Sequence, residues 1–253
     1  MNNRTLIIGS GLAGITLVRE LRKLDKEREI IVITADDGVF YSKPNLSNAF
    51  AANKRPEEMV LTPAVKLEHD LGILIMAHTA VARIDAGRRE VVCTQGTLAY
   101  DQLVLAVGAS QIPLPLAGDG VQDAISINSL ADYARLRSRL VGKRSVAIVG
   151  AGLIGCEFAN DLAAAGHAVT VLDPAAWPLA SLLPQPAGEA LLSPLAALGV
   201  SWRLGRAVKA VDRDGSGYRL TLDNGDRVDA DMVLSAVGLR PRIALAKEAG
   251  LAV

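Results

Sequence analysis

The feature that most constrains this chain is that it repeats itself. "TLIIGSGLAGITLVREL" near the start returns as "SVAIVGAGLIGCEFANDL" from Ser145. Each copy is a short β-branched strand, then G-x-G-x-x-G (Gly9, Gly11, Gly14; Gly150, Gly152, Gly155), then an apolar run of helical period. A second strand is expected after each helix, "EIIVITADD" over Glu29 to Asp37 and "AVTVLDP" over Ala168 to Pro174, so both copies open a βαβ unit. The likeness continues downstream. "TAVARIDAGRREVVCTQGTLAYDQLVLAVGAS" parallels "RAVKAVDRDGSGYRLTLDNGDRVDADMVLSAVGLRP" as strand, turn, strand, turn, strand, with Asn224-Gly225 expected to supply the positive φ values of a tight hairpin turn. Both stretches close on Ala-Val-Gly, at Ala106-Val107-Gly108 and Ala236-Val237-Gly238. The expected class is α/β, with two tandem Rossmann-like dinucleotide-binding folds, each completed by a β-meander. "GASQIPLPLAGDGVQ" has the Pro and Gly content of the connection between them.

The glycines point to phosphate chemistry. Gly9 permits a sharp strand-to-helix turn, Gly11 lets the backbone approach a pyrophosphate without a Cβ in the way, and Gly14 lets helix and strand pack closely; Gly150, Gly152 and Gly155 take the same roles. The helix N-terminus then offers N–H groups and partial positive charge to the phosphates. An acid at the end of the second strand normally takes the adenosine ribose hydroxyls, and in the second copy that is Asp173. No Arg or Lys follows closely to grip a 2′-phosphate, so NADH is expected over NADPH. In the first copy Thr34 stands where an acid is usual; Asp36 and Asp37 just beyond either contact the ribose or simply start the turn.

Half the residues are hydrophobic, aromatics are few, and 27 basic residues balance 27 acidic ones. A net charge of zero gives no long-range attraction to nucleic acid or to an anionic membrane. The N-terminus runs straight into a strand without a signal-peptide h-region, and glycines and charges break every apolar run, so a cytoplasmic location is expected. Cys93 and Cys156 form neither a CxxC pair nor a zinc pattern, and His69, His78 and His167 show no ligand spacing, so no metal is expected. The one dense basic stretch, "ARLRSRLVGKR" over Ala134 to Arg144, reads as a solvated helix face or as a docking face for an acidic protein.

Two such folds in tandem, each with a meander and an Ala-Val-Gly ending, resemble the pyridine-nucleotide-disulfide oxidoreductase superfamily over essentially the whole chain. The resemblance implies FAD in the first fold and NAD(H) in the second. It assigns 1–110 to the first part of an FAD-binding domain, 111–238 to an NAD(H)-binding domain, and 239–253 to the start of a return to the FAD domain. Family members continue further, so the chain reads as a truncated form. Dithiol members need a cysteine pair beside the flavin, and here "YSKPNLS" stands at about that place. With "ITADDG" before it, this segment resembles the branch of rubredoxin–NAD reductases and flavorubredoxin reductases.

For that branch the implied activity is an NADH-dependent flavoprotein oxidoreductase passing electrons to a small redox protein, rubredoxin first. The alternatives are a ferredoxin, flavorubredoxin or nitrite-linked reductase and an inactive FAD- and NAD-binding fragment. Carried over residue by residue, Gly9, Ser10, Gly11, Leu12, Ala13, Gly14, Ile33, Thr34, Lys43, Pro44, Val81, Ala106, Val107 and Gly108 are expected at FAD. Gly150, Gly152, Leu153, Ile154, Gly155, Glu157, Asp173, Val237 and Gly238 are expected at NAD(H). Lys43 and Glu157 are the catalytic candidates. Lys43 would favour the anionic reduced flavin electrostatically, with Pro44 pushing it toward an extended backbone. Glu157 would reach the nicotinamide, although a Glu in a first helical turn is favourable in any case. Relatives of the ferredoxin-reductase type place a Lys after the loop serine; Asn48 stands there instead, leaving Lys43 as a possible partner for Glu157.

Overall fold

A computed structural model describes residues 3–253, which fold into two compact units. One contains the described residues up to Ser42, then Glu57–Ser110 and Pro241–Val253; the other contains Lys43–Pro56 and Gln111–Arg240. Both are built around a four-stranded parallel sheet, as the repeat leads one to expect.

In the first unit β1 (Arg4–Ile8) lies between β2 (Glu29–Ile33) and the later strand Gln102–Leu105, and Leu74–Met76 pairs with the outer side of β2. Successive side chains of these strands point to opposite faces, and both faces are covered, which is why the strands read as unbroken apolar runs. Ile7, Ile30 and Val32 pack with Ile15 and Val18 of helix α1 (Leu12–Leu24) and with Leu67 of Ala64–Leu71. Their neighbours Leu6, Ile8, Ile31 and Ile33 pack with Ile84, Val91 and Cys93 of the antiparallel meander Val81–Asp85, Glu90–Cys93 and Gly96–Ala99. Leu245 and Ala249, from and just after the short helix Ala244–Glu248, cover the same cluster.

The second unit repeats the plan. Its strand Ser145–Val149 lies between Ala168–Asp173 and Met232–Ser235, with Val200–Leu204 outermost. Ala147, Val149, Leu172 and Val233 pack against Val211, Leu220 and Ala230 of the meander Val208–Asp214, Gly217–Leu222 and Arg227–Ala230. The helix Leu153–Ala164 is apolar nearly all round and buries Phe158, Ala159 and Leu162. The preceding helix, Leu130–Leu140, is capped by Ser129, whose hydroxyl accepts from the Asp132 N–H at 3.1 Å, and it buries Tyr133, Leu136 and Leu140 at helical spacing.

Two local expectations are corrected. At the second meander turn Gly225 takes a positive φ of 86° but Asn224 does not, because four residues, 223–226, separate the strands; Asn224 instead accepts from the Asp226 N–H through its side chain. Residues 43–47 do not leave Lys43 extended. Lys43–Ser47 is a 3₁₀ helix, with Pro44 in the first turn, where a missing N–H costs nothing. Among the described residues no helix is long and apolar enough to cross a membrane.

Candidate functional site

The two glycine turns are geometrically the same. Gly9 and Gly150 both have φ of 115°, and their N–H groups donate to Ile33 and Leu172 at 2.8 Å. Gly11 and Gly152 then start the helices with φ of −72° and −73°, and no side chain caps either helix. The outer glycines are required by the protein itself. A Cβ on Gly9 would stand 2.2 Å from the Ala106 carbonyl oxygen and one on Gly14 2.0 Å from that of Gly9; in the second copy Gly150 meets Ala236 at 2.5 Å and Gly155 meets Gly150 at 1.9 Å. The middle glycines are not. A Cβ on Gly11 or Gly152 would meet nothing within 4 Å, and their φ values suit any residue. The space at each is open beside uncapped helical N–H groups, an arrangement that can receive an anion such as a pyrophosphate.

The turns differ at the ribose position. Asp173 accepts from the Ala151 N–H at 2.6 Å through one carboxylate oxygen and from the Ala175 N–H at 2.7 Å through the other, leaving acceptor capacity on both. In the first copy the buried Thr34 hydroxyl accepts from the Ser10 hydroxyl at 3.0 Å and from the Asp36 N–H at 3.3 Å, so its oxygen is engaged inside the protein. Asp37 caps the Val39 N–H at 3.2 Å and thus starts the turn, while Asp36 is exposed. Leu12 and Ala13 are exposed at the start of their helix, and Ile33 is buried in the sheet. Val81 opens the first meander with its side chain packed on the core. The Val107 and Gly108 carbonyls accept from the Arg242 guanidinium at 3.3 Å and the Arg242 N–H at 3.0 Å.

In the second unit one cavity of about 680 Å³ brings most of the remaining candidates together. Gly150, Gly152, Leu153, Ile154, Glu157, Asp173, Val237 and Gly238 line it, and so do Lys43, Pro44 and Ser47. Gly155 does not line it and is buried, packed against Gly150. Lys43 and Pro44, assigned with FAD from the sequence, thus face the cavity that holds the second glycine turn. The Lys43 ammonium donates to Asn128 Oδ1 at 3.4 Å. Glu157 Oε2 accepts from the Ser47 hydroxyl at 2.5 Å. Burial, the larger cause, together with Asp173 and Glu157, pushes the Cys156 thiol up to about 11, so it stays protonated.

What anchors residues 43–56 is not visible in the sequence. Besides Ser47, the Phe50 and Ala51 N–H groups donate to the buried Asp161 carboxylate at 2.7 and 2.9 Å. The buried Tyr133 hydroxyl donates to the Lys54 carbonyl at 2.9 Å, and Arg137 donates to Asn53 at 2.8 Å while lying 5.4 Å over the Phe50 ring. Within the basic stretch, Arg135 pairs with Asp132 and Arg139 donates to the Asp123 carbonyl. Several of its charges are therefore engaged inside the unit. No local motif signals the bonds that hold 43–56, since their partners lie about a hundred residues apart in sequence.

Residues 3–253 match the family described as pyridine nucleotide-disulphide oxidoreductase. The chain is 45% identical over 247 residues to the rubredoxin-NAD(+) reductase of Alcanivorax borkumensis, a match that covers 97% of this chain and 65% of the relative. It is 40% identical over 254 residues to the nitric oxide reductase FlRd-NAD(+) reductase of Aeromonas hydrophila, covering 100% and 65%. Among solved structures, a ferredoxin reductase from Rhodopseudomonas palustris superposes with a TM-score of 0.92 at 27% identity, covering 100% of this chain and 63% of that one. The chain therefore spans just under two thirds of the length of these curated relatives. A family match over nearly every residue, together with two glycine turns of one geometry, places the chain in the pyridine nucleotide-disulphide oxidoreductase family.

Proposed function

We propose that this chain carries the FAD- and NADH-binding part of an NADH-dependent reductase that delivers electrons to a small iron-containing carrier, rubredoxin. FAD is assigned to the glycine turn at Gly9–Gly14 and NADH to that at Gly150–Gly155. The observation that carries the reading is the single cavity lined by the second glycine turn, Asp173, Glu157 and Lys43. Asp173 has acceptor capacity for two ribose hydroxyls and repels a 2′-phosphate. Glu157, held by Ser47, takes the nicotinamide end, and Lys43 supplies positive charge where negative charge gathers on reduction. FAD held at the first glycine turn would supply the chemistry that takes a hydride, two electrons at once, and gives the electrons up singly. No dithiol takes part, since Cys93 and Cys156 are both buried and free. The rubredoxin assignment rests on the relative at 45% identity. The cytoplasm, where thiols stay reduced and NADH is generated, is the proposed place of action.

The test is an anaerobic titration of the FAD-loaded protein with NADH, followed by oxidised rubredoxin. The expected result is bleaching of the flavin by one equivalent of NADH and recovery of its spectrum by rubredoxin. A flavin that stays oxidised in excess NADH would overturn the reading; recovery by ferredoxin or a flavorubredoxin but not by rubredoxin would overturn the acceptor.

A further inference from the structure

Asp161 is an unfavourable residue where it stands. It is only 4% exposed, and burying a carboxylate is heavily penalised. It also lies in the last turns of Leu153–Ala164, where the helix dipole disfavours an anion. Burial pushes its carboxyl above the usual range, against the opposing pull of N–H groups from residues 49–51. The compensation in view is a pair of backbone donors, Phe50 N–H and Ala51 N–H, one on each carboxylate oxygen.

Those donors matter because of what precedes them. Ser47 stands three residues before Phe50, and Glu157 stands one helical turn before Asp161 on the same helix face. The two carboxylates therefore form a ladder against one strand of backbone: Asp161 takes the amides of residues 50 and 51, and Glu157 takes the Ser47 hydroxyl at 2.5 Å. Fixing residues 50 and 51 fixes the register in which Ser47 meets Glu157. We infer that Asp161 is a positioning residue for the nicotinamide end of the nucleotide site, acting through Ser47 to hold the Glu157 carboxylate in place. Asp161 is not among the residues that line the cavity, and its effect passes through Glu157 alone.

This rests on the reading of the cavity as an NAD(H) site. The test is calorimetric binding of NAD⁺ and of ADP-ribose, which lacks the nicotinamide, to the FAD-loaded protein and to Asp161→Asn, Ser47→Ala, Glu157→Gln and Asp161→Asn/Glu157→Gln. An amide at 161 can accept from only one of the two N–H groups. Asp161→Asn is expected to weaken NAD⁺ about tenfold, the scale of one charge-assisted hydrogen bond, while ADP-ribose binding stays within about twofold. In the Glu157→Gln background the same change should have no further effect. Ser47→Ala leaves the buried carboxylate and its amides intact and should show the same selectivity for NAD⁺; if Asp161→Asn fails to fold, Asp161→Glu, which keeps the charge but shifts the carboxylate, takes its place and should show the same selective loss of NAD⁺. Equal loss of NAD⁺ and ADP-ribose, no loss of NAD⁺, or an undiminished effect in the Glu157→Gln background would overturn the inference. Failure of the unmodified protein to bind either ligand would instead overturn the assignment of the cavity.

Discussion

At Asp173 two backbone N–H groups, of Ala151 and Ala175, take one carboxylate oxygen each, so the side chain braces the turn at Gly150–Gly152 and keeps acceptor capacity, which the proposed function gives to a ribose. Replacing it removes charge-assisted bonds worth about 1.5–3 kcal/mol each. Asp173→Ser is therefore expected to lower NADH efficiency by about tenfold or more and to narrow the gap to NADPH, because the repulsion of a 2′-phosphate goes as well. Steady-state kcat/KM with both coenzymes measures this, and equal efficiency in the unmodified protein would contradict it. The thiols give a second expectation. With the Cys156 thiol pushed up to about 11, about one molecule in 10⁴ carries a thiolate at pH 7, and burial raises Cys93 as well. A chromogenic disulfide reagent should label neither cysteine in the folded protein and both after denaturation; rapid labelling of either under native conditions would count against the buried, inert assignment.

At the scale of the strand–turn–helix element, the outer glycines of one motif and the middle one have different physical reasons. Gly155 is a packing requirement, since a Cβ would stand 1.9 Å from the Gly150 carbonyl oxygen and backbone would have to move. Gly155→Ala should cost about 1–3 kcal/mol or more, and Gly14→Ala, at 2.0 Å from Gly9, should do the same. Denaturant midpoints would show it, and wild-type stability in Gly155→Ala would refute the packing account. Gly152 has an ordinary φ and open space, so Gly152→Ala should stay within about 1 kcal/mol of the parent. These elements were legible in the sequence because each is local: β-branched run, glycine spacing and helical period lie within some thirty residues. The excursion 43–56 was not. The bias against helix before a proline suggested an extended Lys43, yet a 3₁₀ turn forms there. The residues that hold the segment, Glu157, Asp161, Tyr133 and Arg137, belong to helices whose apolar period says nothing about a partner so far away in the chain.

Over the whole molecule, duplication is what the sequence displayed most clearly, and the two units confirm it down to matching φ values at Gly9 and Gly150. What the repeat could not display is how the copies diverge. Asp173 keeps acceptors available in one, whereas in the other the Thr34 oxygen already accepts from Ser10 and from the Asp36 N–H. One scaffold thereby presents two different glycine turns, to which the proposed function assigns FAD at the first and NAD(H) at the second. The measurement that tests this most directly is calorimetric binding of FAD and of NAD⁺ to Gly11→Ala and Gly152→Ala, with stability checked in parallel. Both substitutions add a Cβ only to open space, so both proteins should fold as the parent does. Gly11→Ala is expected to lose FAD and keep NAD⁺, and Gly152→Ala to lose NAD⁺ and keep FAD. Loss of the same ligand in both variants, or undiminished binding of both ligands in either, would contradict it.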